Sequence, residues 1–172
     1  EDGTPSVAMK GYCTLLSGFT VLLIVSALSK MVLYIKEMGM TPLRIYTSWF
    51  MLVLVMFFVL IITAQFTKLN FCRAAFAGFT ILFAVLCFSN VDGMIARYNV
   101  NAYRTGELSQ VDFGVLEDLG DAALTHVEGL TEAKDSRVAE NAKECHKRML
   151  KESERKNDVA YFSIPRVIGR KK

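Results

Sequence analysis

Three long apolar runs dominate the first half of the chain. They lie between Gly11 and Val91, where Glu37 is the single acidic side chain. A helix of a water-soluble domain keeps a polar face toward solvent, yet the second run has no charged side chain. Because about 20 apolar residues suffice to cross a bilayer core, we predict three membrane-spanning helices. The expected spans are residues 12–35, 45–66 and 71–88.

The connectors between the runs are short and carry turn signals. In the first connector, Gly39 suits a helix C-cap, Thr41 an N-cap and Pro42 the first helical position. The second connector, residues 67–70, has room only for a tight turn between antiparallel helices. We therefore expect an antiparallel helical hairpin extended by a third span.

The composition changes after residue 89, and the remaining chain predicts a helical tail. Helix starts are expected at Asn90 or Asp92, at Asp112, at Asp121 and at Ser136. The first of these helices is expected to run from Met94 to about Arg104 and to end at Thr105-Gly106. The last is expected to reach about Lys156, with a narrow apolar stripe of Val138, Ala142, Cys145 and Met149.

Together these patterns predict an all-α protein with three transmembrane helices followed by a small helical tail domain. Its expected organisation is a polar N-terminal segment (1–10), a transmembrane region (11–91) and a charged tail (92–172).

Charge and cysteine spacing narrow the possible functions. The net charge is +3, and the tail is densely charged but almost neutral, so it lacks the uncompensated basic patch of a nucleic-acid-binding surface. The four cysteines show no paired spacing, which argues against a disulfide framework or a metal site. We expect no cofactor, no metal, no catalytic motif and no nucleic-acid partner.

One polar cluster stands where the third run ends. It consists of Asn90, Asp92, Arg97, Tyr98, Asn99 and Tyr103. A functional interpretation makes it a surface site that binds an anion or a lipid headgroup through Arg97, with Asp92 close enough to pair with Arg97. The alternative, which we favour, is a capped helix whose polar groups fasten the tail onto the spans.

Two separated segments, residues 26–50 and 89–124, resemble one family. The first contains Leu43-Arg44-Ile45-Tyr46 at the start of a span, and the second contains Ile95-Ala96-Arg97-Tyr98-Asn99. They resemble a bacterial multi-pass membrane family, domain of unknown function 4173, and its relative 4153. The chain's end, residues 161–166, is similar to the family's closing pattern but departs from it at Ser163 and Pro165.

The resemblance implies the last three spans and tail of a larger protein, and it brings no reaction with it. The first residue, Glu1, also fits a fragment. We expect a multi-pass protein of the cell membrane, a non-enzymatic component of a transport or envelope-related assembly. Its partners would be the lipid bilayer and a protein bound through the tail.

Two alternatives stay open. The chain is a membrane-anchored sensor or regulator whose tail binds a protein or a lipid, or it is an enzyme that uses Asp92, Arg97 and Tyr98. The basic residues are almost evenly divided between the two sides of the predicted spans, and they favour a cytoplasmic tail only slightly.

Overall fold

A computed structural model describes residues 7–67, 69–133 and 135–155, and within them the chain is all-helical. The α-helices are α1 (Val7–Met38), α2 (Pro42–Phe66), α3 (Phe71–Phe88), α4 (Val91–Thr105), α5 (Phe113–Asp118), α6 (Leu124–Glu128) and α7 (Ser136–Arg155), with a 3-10 turn at Gly120–Ala122. The predicted fold class is confirmed. The closing segment 161–166 and Lys156 lie outside the described residues.

Helices α1, α2 and α3 are long and apolar enough to cross a membrane, as predicted. The first is longer than expected, because its 32 residues begin at Val7, inside the segment predicted to be polar, and end at Met38. Large apolar side chains on these helices face outward; Leu22 is 65% exposed and Phe76 is 75% exposed. Such surface is compatible with lipid and unfavourable in water.

The chain divides into two compact units. The first unit contains the chain up to Leu33 and residues Leu43–Ser89. The second unit contains Tyr34–Pro42, which includes the connector between α1 and α2, and the chain from Asn90 onward. The connector therefore belongs with the tail.

Polar contacts join the helices of the first unit. The Thr14 hydroxyl on α1 donates a hydrogen bond to Gln65 Oε1 on α2 at 3.0 Å. The Trp49 indole on α2 donates to the Leu82 carbonyl on α3 at 3.3 Å and packs against Phe79 with 6.3 Å between ring centroids. Trp49 therefore joins two helices of this unit.

Most of the predicted capping residues of the second unit are confirmed. Asn90 is the cap of α4, since its Oδ1 accepts from the Gly93 N–H at 3.2 Å, and the helix therefore starts earlier than Met94. Gly106 ends α4 with a left-handed φ of 79°, a conformation that favours glycine. The Asp112 carboxylate accepts the Gly114 N–H at 3.0 Å and begins α5.

The predicted helix start at Asp121 is wrong. Asp121 lies inside the 3-10 turn, and α6 begins after Ala123 without a side-chain cap. Gly120 at the head of the turn has a φ of 57°, which interrupts the regular helix between α5 and α6. Sequence periodicity does not reveal such a short turn, because its buried alanines also fit a helix.

Helix α7 covers the core of the second unit with the predicted stripe. Ala142 and Cys145 are fully buried and Met149 is 6% exposed, whereas Val138 is half-buried. The helix packs against α5, the 3-10 turn and α6. Its start at Ser136 is confirmed, and the capping carboxylate is that of Asp135, the residue before it.

The surface ion pair of α7 differs from the prediction. Opposite charges four residues apart on this helix predict a pair between Glu144 and Arg148. In the described residues, Arg148 instead pairs with Glu117 on α5, with 3.3 Å between Nη2 and Oε1. Arg148 is 61% exposed, so this pair contributes about 1 kcal/mol or less. Apolar burial is the larger contribution to holding α7 in place.

Leu116 and Leu150 provide a matched test of this core. Leu116 on α5 is 0% exposed and Leu150 on α7 is 43% exposed. We expect Leu116→Ala to lower the free energy of unfolding by about 2–5 kcal/mol, because it leaves a cavity. Leu150→Ala should lower it by about 1 kcal/mol or less. Guanidinium unfolding of the full chain in detergent, followed by circular dichroism, measures both, and equal losses would contradict the assigned core.

We expect the Cys145 thiol to be unreactive while the tail is folded. Burial, and after it the nearby Glu117 carboxylate, raise the pKa of its thiol to about 11. The thiolate is the reactive form, so maleimide at neutral pH should leave Cys145 unmodified when the other three cysteines are replaced by serine. Lys147→Cys, exposed on the same helix, is the control in a Cys145→Ala background. Similar labelling rates at the two positions would contradict this burial.

Candidate functional site

Asn99 on α4 is the one member of the predicted polar cluster that is buried, at 6% exposed. Its side chain makes two hydrogen bonds with the backbone of Met40. The Met40 N–H donates to Asn99 Oδ1 at 2.7 Å, and Asn99 Nδ2 donates to the Met40 carbonyl at 2.8 Å. We call this pair of bonds the Asn99 clamp. It holds the connector of the second unit against α4.

The connector needs such a partner because its backbone is not helical. Residues 39–41 lie between α1 and α2 without regular structure, so the Met40 N–H and carbonyl have no neighbour in a helical ladder. A carboxamide carries one acceptor and one donor side by side. Asn99 therefore satisfies both backbone groups at once, as the edge of a neighbouring strand would.

Gly39 makes room for the clamp. Its φ is 79°, in the left-handed region, and a Cβ atom at this position would lie 3.0 Å from Asn99 Oδ1. Any other residue would be strained by the backbone conformation and crowded by the carboxamide. Glycine at position 39 thus serves two purposes. It allows the turn, which the sequence predicted, and it leaves space for the Asn99 carboxamide, which the sequence did not reveal.

The other members of the polar cluster do not gather around Asn99 into one site. Asn90 is exposed and caps α4, and Arg97 is exposed. Burial raises the pKa of the Asp92 carboxyl, which is half-buried. Tyr98 and Tyr103 are half-buried on the same helix.

Asp92 and Arg97, which the functional interpretation places close enough to pair, form no ion pair in the described part of the chain. The helix geometry explains this result. Positions five residues apart are separated by about 140° around an α-helix axis, so the two side chains leave α4 in different directions.

A cleft of about 430 Å³ lies beside the clamp, entirely within the second unit. The connector forms one wall and the loop before α5 forms the other, with Asn99 between them. Its charged lining residues are Glu37 and Asp112, and no Lys, Arg or His side chain lines it. Sequence reasoning missed this cleft, although Glu37 already stood out as the single acidic residue of the first half.

A second cleft, of about 340 Å³, lies between α7 and the segment from α5 to the 3-10 turn. Its acidic lining residues are Glu117, Asp118, Asp121 and Glu152. Within residues 7–67, 69–133 and 135–155, no group of three or more His, Cys, Asp or Glu side chains is arranged to hold a metal ion. The four cysteines are free thiols.

Arg104 makes a second link inside this unit. Its Nη2 atom donates to the Gly129 carbonyl at 2.8 Å and connects the end of α4 with the end of α6. The residue was assigned no role by sequence reasoning. Arg104 lies in the last turn of its own helix, but its partner is at the end of another helix, so no local pattern marks this contact.

Gly39→Ala and Gly106→Ala separate backbone strain from damage to the clamp. Both glycines have a φ of 79°, but a Cβ at Gly106 would meet nothing within 4 Å. We expect Gly106→Ala to lower the free energy of unfolding by about 1–2 kcal/mol, and Gly39→Ala by about 1 kcal/mol more because the carboxamide must shift. Hydrogen exchange at the Met40 amide should accelerate in Gly39→Ala alone. Equal acceleration in both variants would contradict the clamp.

A family model for a domain of unknown function (DUF4153) matches residues 1–130. The match covers both segments on which the resemblance rests, Asn99 and both walls of the 430 Å³ cleft. It is to the relative 4153 and not to 4173. Comparisons with curated proteins and with solved structures give no match. With three helices apolar enough to cross a membrane, the chain is consistent with an integral membrane protein, and it belongs to the family of the domain of unknown function DUF4153.

Proposed function

We propose that the chain is a non-enzymatic component of a membrane assembly, of a transport or envelope-related kind. In this proposal α1, α2 and α3 cross the cell membrane, and the second unit is a fixed packing element on the cytoplasmic side. The Asn99 clamp is the observation that carries the proposal. It ties the tail to the connector between α1 and α2 through two short hydrogen bonds.

The hydrogen bonds made by two residues of the polar cluster support this packing role. Asn99 is engaged by the Met40 backbone, and Asn90 by the first turn of α4. An enzyme built on Asp92, Arg97 and Tyr98 needs a pocket that brings these groups together. The two clefts described above are lined by none of the three. The polar cluster thus fits an anchoring role better than a catalytic one.

A sensor or regulator is the second candidate, and the 430 Å³ cleft favours it. Clefts of roughly 300–1,000 Å³ are typical of small-ligand sites, and this one has the connector as a wall. A ligand bound there would contact the segment that the clamp holds. This candidate differs from the first because it predicts that the clamp's stability depends on a ligand.

Asn99→Ala, with Asn101→Ala as its control, tests the proposed function. Asn101 is exposed on the same helix. Because Asn99→Ala leaves two part-buried backbone groups of Met40 without this partner, we expect it to lower the free energy of unfolding by about 1–3 kcal/mol. In native gel electrophoresis of mildly solubilised membranes, the full chain should migrate within a larger complex. Asn99→Ala should lose this complex and Asn101→Ala should keep it.

Arg97→Ala completes the test. The anchoring role predicts that this exposed residue can be removed with no loss of the complex and little change in unfolding free energy. A chain that migrates alone in native membranes would contradict the assembly role. Loss of the complex in a well-folded Arg97→Ala variant would instead favour a functional site at Arg97.

A further inference from the structure

The charged residues that line the 430 Å³ cleft beside the clamp are all acidic. Two carboxylates, Glu37 and Asp112, line it from opposite walls, and no basic side chain contributes to the lining. Low-dielectric walls focus the field of such groups and raise the local concentration of cations. The charge of this cleft therefore suits a cationic ligand. It does not suit an anion, the kind of ligand that the functional interpretation of the polar cluster assigned to Arg97.

The rest of the lining suits an organic cation better than a metal ion. Phe113, Met38 and Met40 are among the residues that line it, so its wall includes one aromatic residue and two methionines. Ammonium groups bind aromatic faces, and methionine adapts to irregular apolar shapes. A divalent metal ion demands six or more oxygen ligands or a compact set of side chains, and no such set exists in the described residues.

The position of the connector indicates where such a ligand comes from. The connector joins α1 and α2, and both helices are long enough to cross a bilayer. A segment that directly joins two spans lies near the level of the lipid headgroups. Glu37 and Met40 would therefore meet headgroup ammonium ions at high local concentration.

The size of the cleft sets an upper limit on the ligand. A volume of about 430 Å³ is equivalent to about 14 water molecules at their share of liquid volume. An ethanolamine or choline ammonium group fits this volume, whereas a folded protein partner does not. Met40 and Asn99, the two residues of the clamp, both line the cleft.

We propose that this cleft binds an organic ammonium group of the ethanolamine or choline type. The carboxylates of Glu37 and Asp112 balance its charge, and Phe113, Met38 and Met40 cover its alkyl part. The group is carried either by a lipid headgroup or by a free amine. The inference does not depend on the role in an assembly, since a packing component and a sensor could each carry such a cleft.

Choline and ethanolamine are the probes for the test. The full chain is placed in nanodiscs of phosphatidylglycerol, which has no ammonium group, and both probes are titrated by calorimetry. Because the attraction between exposed charges is weak, we expect Glu37→Gln to weaken binding by about 1.4- to 5-fold. Adding Asp112→Asn should bring the loss to about 10-fold, and asparagine retains the capping oxygen of α5.

Glu140→Gln is the matched control, because Glu140 is an exposed carboxylate on α7 outside the cleft. It should bind both probes like the wild type. Phe113→Leu is an independent variant that keeps the cleft apolar and removes the ring, and it should weaken choline binding about 2- to 5-fold. Circular dichroism of each variant separates loss of binding from loss of folding.

A second experiment distinguishes a lipid headgroup from a free amine as the carrier of the ammonium group. If nanodiscs that contain phosphatidylethanolamine block free choline, the ligand is a lipid headgroup, and if they do not, it is a free amine. Three results would overturn the proposal: no binding of either probe to the wild type, equal competition by sodium or calcium ions, or the same affinity in Glu37→Gln as in Glu140→Gln. None of these results would affect the native-gel test of the assembly role.

Discussion

The second unit depends on one requirement: a non-helical backbone segment must find partners for its N–H and carbonyl groups. Met40 meets this requirement through a single side chain, that of Asn99. An unpaired backbone group costs up to about 1–3 kcal/mol when it is buried, and both Met40 groups are part-buried, so the position of Met40 depends on this carboxamide. The left-handed Gly39 and the wall of the neighbouring cleft follow from the same arrangement.

The chemistry of the clamp also decides its response to solution conditions. A carboxamide does not titrate, and hydrogen bonds between neutral groups are little affected by salt. The ion pair between Arg148 and Glu117 is different, since it lies at the surface and is screened by salt. Added salt should therefore weaken the ion pair between Arg148 and Glu117 and leave the hydrogen bonds between Asn99 and Met40 unchanged.

Much of the fold could be predicted because its signals are local. Apolar run length gave the three long helices, and capping chemistry gave Asn90, Gly106 and Asp112. Asp121 misled the prediction because a left-handed glycine and a 3-10 turn interrupt the helix there.

The candidate site was less accessible to sequence reasoning. Asn99 was identified as a candidate, but its partner lies 59 residues away. The two carboxylates of the cleft, Glu37 and Asp112, are just as remote from each other along the chain. Such contacts are set by tertiary packing, which no local pattern records.

The position of Trp49 has a practical consequence for spectroscopy. It is the single tryptophan of the chain, and its indole is bonded to the Leu82 carbonyl in the first unit. Its emission therefore reports on the contact between α2 and α3. Amide circular dichroism reports on the helices of both units, so a comparison of the two signals in one sample would measure how strongly the units are coupled.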